Sequence, residues 1–132
     1  MLAWLLGESG GTDARKALAG AELIVASDLT LVECDRVLIR ARIQGDLTKA
    51  DAAGLRGLLN AAAAHWSLLR VDQEIIERAR RPFPAEPVRT LDALHLASVL
   101  VASAAVEDLA LLSLDHRIRA AARELGLPLA PA

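Results

Sequence analysis

Along this chain, short aliphatic runs alternate with longer stretches in which apolar positions recur every three or four residues. The first pattern marks buried strands and the second marks helices. Met1-Leu2-Ala3-Trp4-Leu5-Leu6 reads as the end of a helix closed by Gly7, and Ser9-Gly10-Gly11-Thr12 as a turn. Thr12 or Asp13 can cap a short helix through Ala14–Leu18, which Gly20 stops. Leu23–Ala26 is a first strand. Ser27 caps a longer helix to about Arg42, ended by Gly45. Thr48 or Asp51 opens a helix to about His65, weakened by Gly54 and Gly57. Ser67–Val71 is a second strand, and Asp72 caps a helix through Ala79. The proline-rich segment Pro82–Pro87 is a loop. A helix then starts at Thr90. Leu109–Ser113 is a third strand, Asp115 starts a helix to about Leu125 closed by Gly126, and Leu127–Leu129 is a last short strand or tail. Strands alternating with helices predict an α/β fold with a parallel sheet.

The Thr90 helix is the most apolar of these. From Thr90 to Ala104 only Asp92 and His95 can carry charge. A helix apolar nearly all round is buried. A carboxylate in its first turn therefore stands at the edge of a core and needs a partner.

Composition narrows the class. Hydrophobic residues make up 54% of the 132, enough for a full core and more than a disordered chain carries. The length suits one domain over residues 1–132. The only aromatics are Trp4, Trp66 and Phe83, so the core must be aliphatic and no base-stacking platform is available. The net charge of −2 is unlike a basic nucleic-acid binder; any contact with nucleic acid must be local or assisted by metal ions. The single cysteine, Cys34, excludes an internal disulfide and suits a reducing compartment. The apolar start is too short for a signal h-region, and the longest apolar run is broken by Asp92 and His95. A cytoplasmic protein is expected.

In open parallel sheets ligands bind at the carboxyl ends of the strands. Asp115 falls directly after the third strand, and Glu33 lies about two turns into the helix that follows the first. Each acid also has a purely structural explanation. Glu33 can pair with Arg36 or Arg40. Asp92, at N2 if Thr90 is the N-cap, is favoured by the helix dipole. His95 can be a packed histidine bonded to backbone, and Asp115 can be a helix cap with Arg117 and Arg119 nearby. Together, three carboxylates converging without histidine or cysteine clusters suit a hard cation such as Mg²⁺ or Mn²⁺. Glycine-rich phosphate loops, paired-cysteine zinc spacings and nucleophile elbows are absent, and His65, His95 and His116 are scattered.

These residues resemble those of a PIN-domain ribonuclease of the VapC toxin kind. The matching pieces are Leu29-Thr30-Leu31-Val32-Glu33, Leu91-Asp92-Ala93-Leu94-His95-Leu96-Ala97 and Leu112-Ser113-Leu114-Asp115, extended by Arg117, Ala120-Ala121 and Leu125-Gly126-Leu127. The resemblance implies a PIN-like three-layer α/β fold with a central parallel sheet flanked by helices. It implies four acids that bind Mg²⁺ or Mn²⁺ and hydrolyse RNA, a VapB-type antitoxin that blocks the cleft, and commonly a homodimer. Glu33, Asp92 and Asp115 match the second, third and fourth acids, and Ser113 matches a residue that supports the last.

One piece departs from the pattern. The family's first acid lies in a D-[ST]-[SN] motif at the end of an N-terminal strand, and that strand and motif are not found here. Glu8, at the far end of the first helix, does not replace it. Two explanations are open: a start codon a short way upstream, which the intact core pattern favours, or a truncated and inactive domain. The expectation is therefore a metal-dependent endoribonuclease toxin with Glu33, Asp92 and Asp115 as catalytic, metal-holding acids. Arg36, Arg40, Arg89 and Arg117 are candidates for RNA phosphates. The alternatives are a non-catalytic PIN-like binding module or decoy, and an α/β domain whose acids merely cap helices.

Overall fold

The computed structural model describes residues 11–131. The expected end of a helix at Met1–Leu6 and its closure at Gly7 lie outside the described residues. Six helices and four strands follow: α1 (Gly11–Gly20), β1 (Val25–Ser27), α2 (Asp28–Ile43), α3 (Lys49–Ala63), β2 (Ser67–Leu69), α4 (Gln73–Ala79), α5 (Thr90–Ala105), β3 (Leu111–Leu112), α6 (His116–Glu124) and β4 (Leu129–Ala130).

Most helix starts are fixed by a polar residue placed just before an apolar-periodic run. The first backbone N–H groups of a helix have no partner within it, and a side-chain oxygen at the N-cap supplies one. Ser27 Oγ accepts from Leu29 N at 3.1 Å, and Asp72 Oδ1 accepts from Ile75 N at 3.1 Å. Thr48 and Asp51, alternatives in sequence, act together as a capping box. Thr48 Oγ1 accepts from Asp51 N at 3.0 Å, and Asp51 Oδ2 accepts from Thr48 N at 3.4 Å. That box holds α3 together in spite of Gly54 and Gly57. Gly45 and Gly126 leave α2 and α6 with φ of +82° and +73°, the left-handed region that glycine enters without steric penalty.

Two starts differ from expectation. α1 begins at Gly11, so Thr12 and Asp13 lie inside it rather than capping it, and Gly11 and Thr12 do not form a turn. α5 starts at Thr90 as expected, but Thr90 is its first helical residue and not its N-cap. Arg89 takes the extended cap conformation (φ −68°, ψ 156°) that Thr90 was expected to take, and no side chain bonds to the helix start. Asp92 is therefore at N3, not N2.

The strands pair in parallel, as expected, and are shorter than the runs predicted for them, with β1 and β4 each ending one residue beyond its run, at Ser27 and Ala130. β1 pairs with β2 from Val25↔Ser67 to Ser27↔Leu69, and Ser67 N donates to Ile24 O one residue before the strand proper. β3 pairs with β4 as Leu111↔Leu129 and Leu112↔Ala130. Among the described residues these are two separate parallel pairs and not one continuous sheet. Arg119 closes the second pair: its Nη1 donates to Ser113 O (2.8 Å) and Ala130 O (3.4 Å), and its Nη2 to Pro131 O (2.7 Å). Carbonyls at the end of that ladder are thus satisfied by a guanidinium, where another strand residue would otherwise be needed.

The main core surrounds α5. Ala93, Leu96 and Ala97 are buried with Ile75 of α4, Phe83 of the proline-rich loop, and Ala121 and Ala122 of α6. The small residues let α4 and α6 approach α5 closely, and Ser98 returns its buried hydroxyl to Leu94 O at 2.7 Å. A second cluster joins α2 to α3 through Cys34 and Leu59, with Trp66 against it. Burial pushes the Cys34 thiol up, so it is a core side chain rather than a nucleophile. No described helix is long and apolar enough to cross a membrane.

Leu96 is fully buried while Leu91, on the same helix, is 48% exposed. Leu96→Ala is expected to cost about 2–5 kcal/mol in urea unfolding, the range for a leucine cavity. Leu91→Ala should stay within about 0.5 kcal/mol. Equal losses would show that α5 is not anchored by its Leu96 face.

Candidate functional site

Three separate elements bring the three candidate acids into one electrostatic neighbourhood. Asp92 stands half-buried in the first turn of α5. Asp115 is the N-cap of α6 and follows β3 by a few residues. Glu33 lies on α2, after β1. Burial pushes the Asp92 carboxyl above the usual carboxylate range. The negative charge of Asp115 adds to that rise and Glu33 adds less, while His95 and Arg89 oppose it. Asp92 therefore feels the charges of both other acids across helices that are distant in sequence.

The structural explanations resolve one by one. Asp115 does cap: its Oδ1 accepts from Arg117 N at 2.8 Å and from Ile118 N at 3.3 Å. Ser113 supports it, since Ser113 Oγ accepts from Asp115 N at 3.1 Å. Capping occupies one carboxylate oxygen and leaves Oδ2 out of the cap. Glu33 does not pair with Arg36 or Arg40, which are exposed on α2. It accepts instead from His95 Nε2 through Oε1. His95 is accordingly not a packed histidine bonded to backbone. Arg119 is committed to the C-terminal carbonyls and not to Asp115. The sequence placed His95 on the face of Asp92, one turn on. It held no sign that Glu33, 62 residues earlier, would be the partner.

Beside Asp92 runs a groove of about 640 Å³. Arg89 and Arg117 line it with Asp92, and Val88, Leu96 and Ile118 give it apolar walls. One wall is the proline-rich loop, which Glu86 fixes. Its Oε2 accepts from Phe83 N and its Oε1 from Val88 N, both at 2.8 Å. Arg78 lies over the Phe83 ring at 4.3 Å and braces the same loop. Among the described residues neither Arg89 nor Arg117 has an ion-pair partner. Arg36 and Arg40 do not line the groove.

The donors suit a hard divalent cation. Asp92, Asp115 through Oδ2 and Glu33 through its second oxygen offer carboxylate oxygens, the ligands that Mg²⁺ and Mn²⁺ favour. Among the described residues, however, no three histidine, cysteine, aspartate or glutamate side chains are drawn close enough to hold an ion as they stand. The neighbourhood is assembled, and the coordination shell is not.

The raised pKa of Asp92 has a definite sign for stability. Between the unfolded and folded values the folded chain holds more proton than the unfolded one. Stability from this group therefore falls as pH rises through that window and stays lower above it. Asp92→Asn removes the penalty. Its melting temperature should exceed the parent's at pH 7, and the advantage should fade as pH falls below the ordinary carboxyl value of 3.8. A variant that melts with or below the parent at pH 7 would contradict this account of the charge.

Comparison with known proteins agrees with this layout. The sequence model of the PIN domain family matches residues 1–124. Over 82 residues the chain is 42% identical to Ribonuclease VapC46 of Mycobacterium tuberculosis (strain ATCC 25618 / H37Rv). That stretch covers 61% of this chain and 58% of the relative, so the match spans little more than half of the relative's length. With its parallel strand pairs, its flanking helices and a family match over residues 1–124, the chain belongs to the PIN domain family.

Proposed function

We propose that this protein is a divalent-metal-dependent endoribonuclease, the toxin of a toxin–antitoxin pair. The observation that carries the proposal is that Asp92, whose carboxyl feels the charges of Asp115 and Glu33, lines a groove flanked by Arg89 and Arg117. Burial and the nearby negative charges raise the proton affinity of Asp92, and a cation would relieve that repulsion. The family match and the resemblance to a ribonuclease support the same reading.

Glu33, Asp92 and Asp115 would hold Mg²⁺ or Mn²⁺. Such an ion activates an attacking water and neutralises charge on a phosphodiester. The remaining work falls to the chain itself. Arg89 and Arg117 meet backbone phosphates along the groove, because a guanidinium matches a phosphate with two parallel hydrogen bonds. Val88, Leu96 and Ile118 exclude water from the wall facing Asp92. Asp115 keeps α6 in register while it offers its free oxygen. A VapB-type antitoxin, self-association as a homodimer and a cytoplasmic location belong to the same proposal.

The test is cleavage of RNA by the purified protein with Mg²⁺ or Mn²⁺. Cleavage should stop on chelation, and Asp92→Asn should lose about 100-fold or more, the scale of removing one charge-stabilising group. Metal-independent cleavage, or an Asp92→Asn protein as active as the parent, would rule the mechanism out. In the same assay Arg89→Ala should raise KM more than it lowers kcat and flatten the salt dependence, as loss of a phosphate contact does. An effect confined to kcat would assign Arg89 a different role.

A further inference from the structure

We propose that His95 is the positioning residue that holds Glu33 in place for the metal, an inference that rests on the nuclease reading above. The two side chains meet across 62 residues of sequence, with His95 Nε2 donating to Glu33 Oε1.

The argument starts from where each side chain is rooted. Glu33 precedes Cys34, which belongs to the smaller α2–α3 cluster. His95 precedes Leu96, which belongs to the larger cluster around α5. Asp92 stands on α5, one turn before His95. The principal packing of α2 is against α3 and β1, and that of α5 is against α4, with a further contact to β1, the strand that leads directly into α2. Packing through β1 relates the two helix backbones, but it does not select the rotamer of the Glu33 carboxylate.

Left alone, Glu33 would be mobile. Its side chain is 38% exposed, and a glutamate at a surface spreads over many rotamers. The imidazole is stiffer and better covered, at 20% exposure, and stands on the most buried helix. A hydrogen bond from it to Oε1 selects among the rotamers of Glu33 and leaves the second oxygen free. Ligating carboxylates are oriented in this way by neighbours that do not themselves touch the ion. On this account His95 sets the orientation of the Glu33 carboxylate where the two clusters meet.

The measurement is Mn²⁺ binding by titration calorimetry on the purified protein, with thermal melts without metal to confirm folding. His95→Leu should bind Mn²⁺ about tenfold or more weakly, the scale for removing a partner of a ligand. His95→Gln, which can present an amide N–H at the position of Nε2, should stay within about threefold of the parent. In a Glu33→Ala background His95→Leu should weaken binding no further, since the two residues act as one unit. If His95→Leu does not fold, His95→Asn replaces it: it keeps an amide that is too short to reach, and is expected to bind as weakly.

Unchanged Mn²⁺ affinity in His95→Leu or His95→Asn would overturn the proposal. So would a loss in His95→Gln as large as theirs, or an equal further loss in the Glu33→Ala background. A parent that cleaves RNA and binds Mn²⁺ while the His95 variants match it refutes the positioning role alone. A parent that neither binds Mn²⁺ nor cleaves RNA refutes both this inference and the function it rests on.

Discussion

Burial of the Thr90–Ala105 helix is the constraint on which the rest depends. So little of its surface is polar that it must be covered on most sides, and α4, α6 and the proline-rich loop do so. Its own small residues, Ala93, Ala97 and Ala102, let those covers come close. The cost appears at its first turn. Asp92 is carried to the rim of the core, where water no longer fully solvates a carboxylate. Everything notable about the site follows from that position: the raised proton affinity, the influence of Asp115 and Glu33, and the groove opening beside it.

Electrostatically the site is a small acidic focus with a basic border. The protein as a whole is slightly acidic, so its net charge does not attract a polyanion. Attraction must be local. Arg89 lies three residues before Asp92, and Arg117 is in the first turn of the helix that Asp115 caps. Each guanidinium is thus delivered by the same helix start that delivers an acid. Cation-seeking and phosphate-seeking groups are held together by two short pieces of chain.

Much of this was legible in the sequence because it is local. Ser27, Thr48 with Asp51, Asp72 and Asp115 announce helix starts within three residues, and the structure finds each of them capping. Gly45 and Gly126 announce helix ends in the same way. The parallel pairing follows from alternation of element types. What was not legible is what depends on distant partners. The division of the strands into two pairs depends on which backbone edges meet in space. The replacement of Thr90 by Arg89 at the cap depends on how the loop before it is fixed, by Glu86 among others. The bond between His95 and Glu33 depends on the tertiary placement of α2 against α5, which neither residue's neighbours encode. The same holds for the acids: their positions after strands suggested convergence, and only their mutual effect on Asp92 gives it physical content.

The scarcity of aromatic residues has an optical consequence. The chain has no tyrosine and two tryptophans, and Trp66 packs against the Cys34–Leu59 cluster. Among the described residues the larger core holds Phe83 as its one aromatic, and phenylalanine is nearly silent in fluorescence. With Trp4 replaced, emission would therefore see the α2–α3 half of the molecule and be blind to the half that carries α5. Circular dichroism, dominated by all the helices, would see both. The protein thus contains its own means of asking whether its two clusters melt as one unit or in turn.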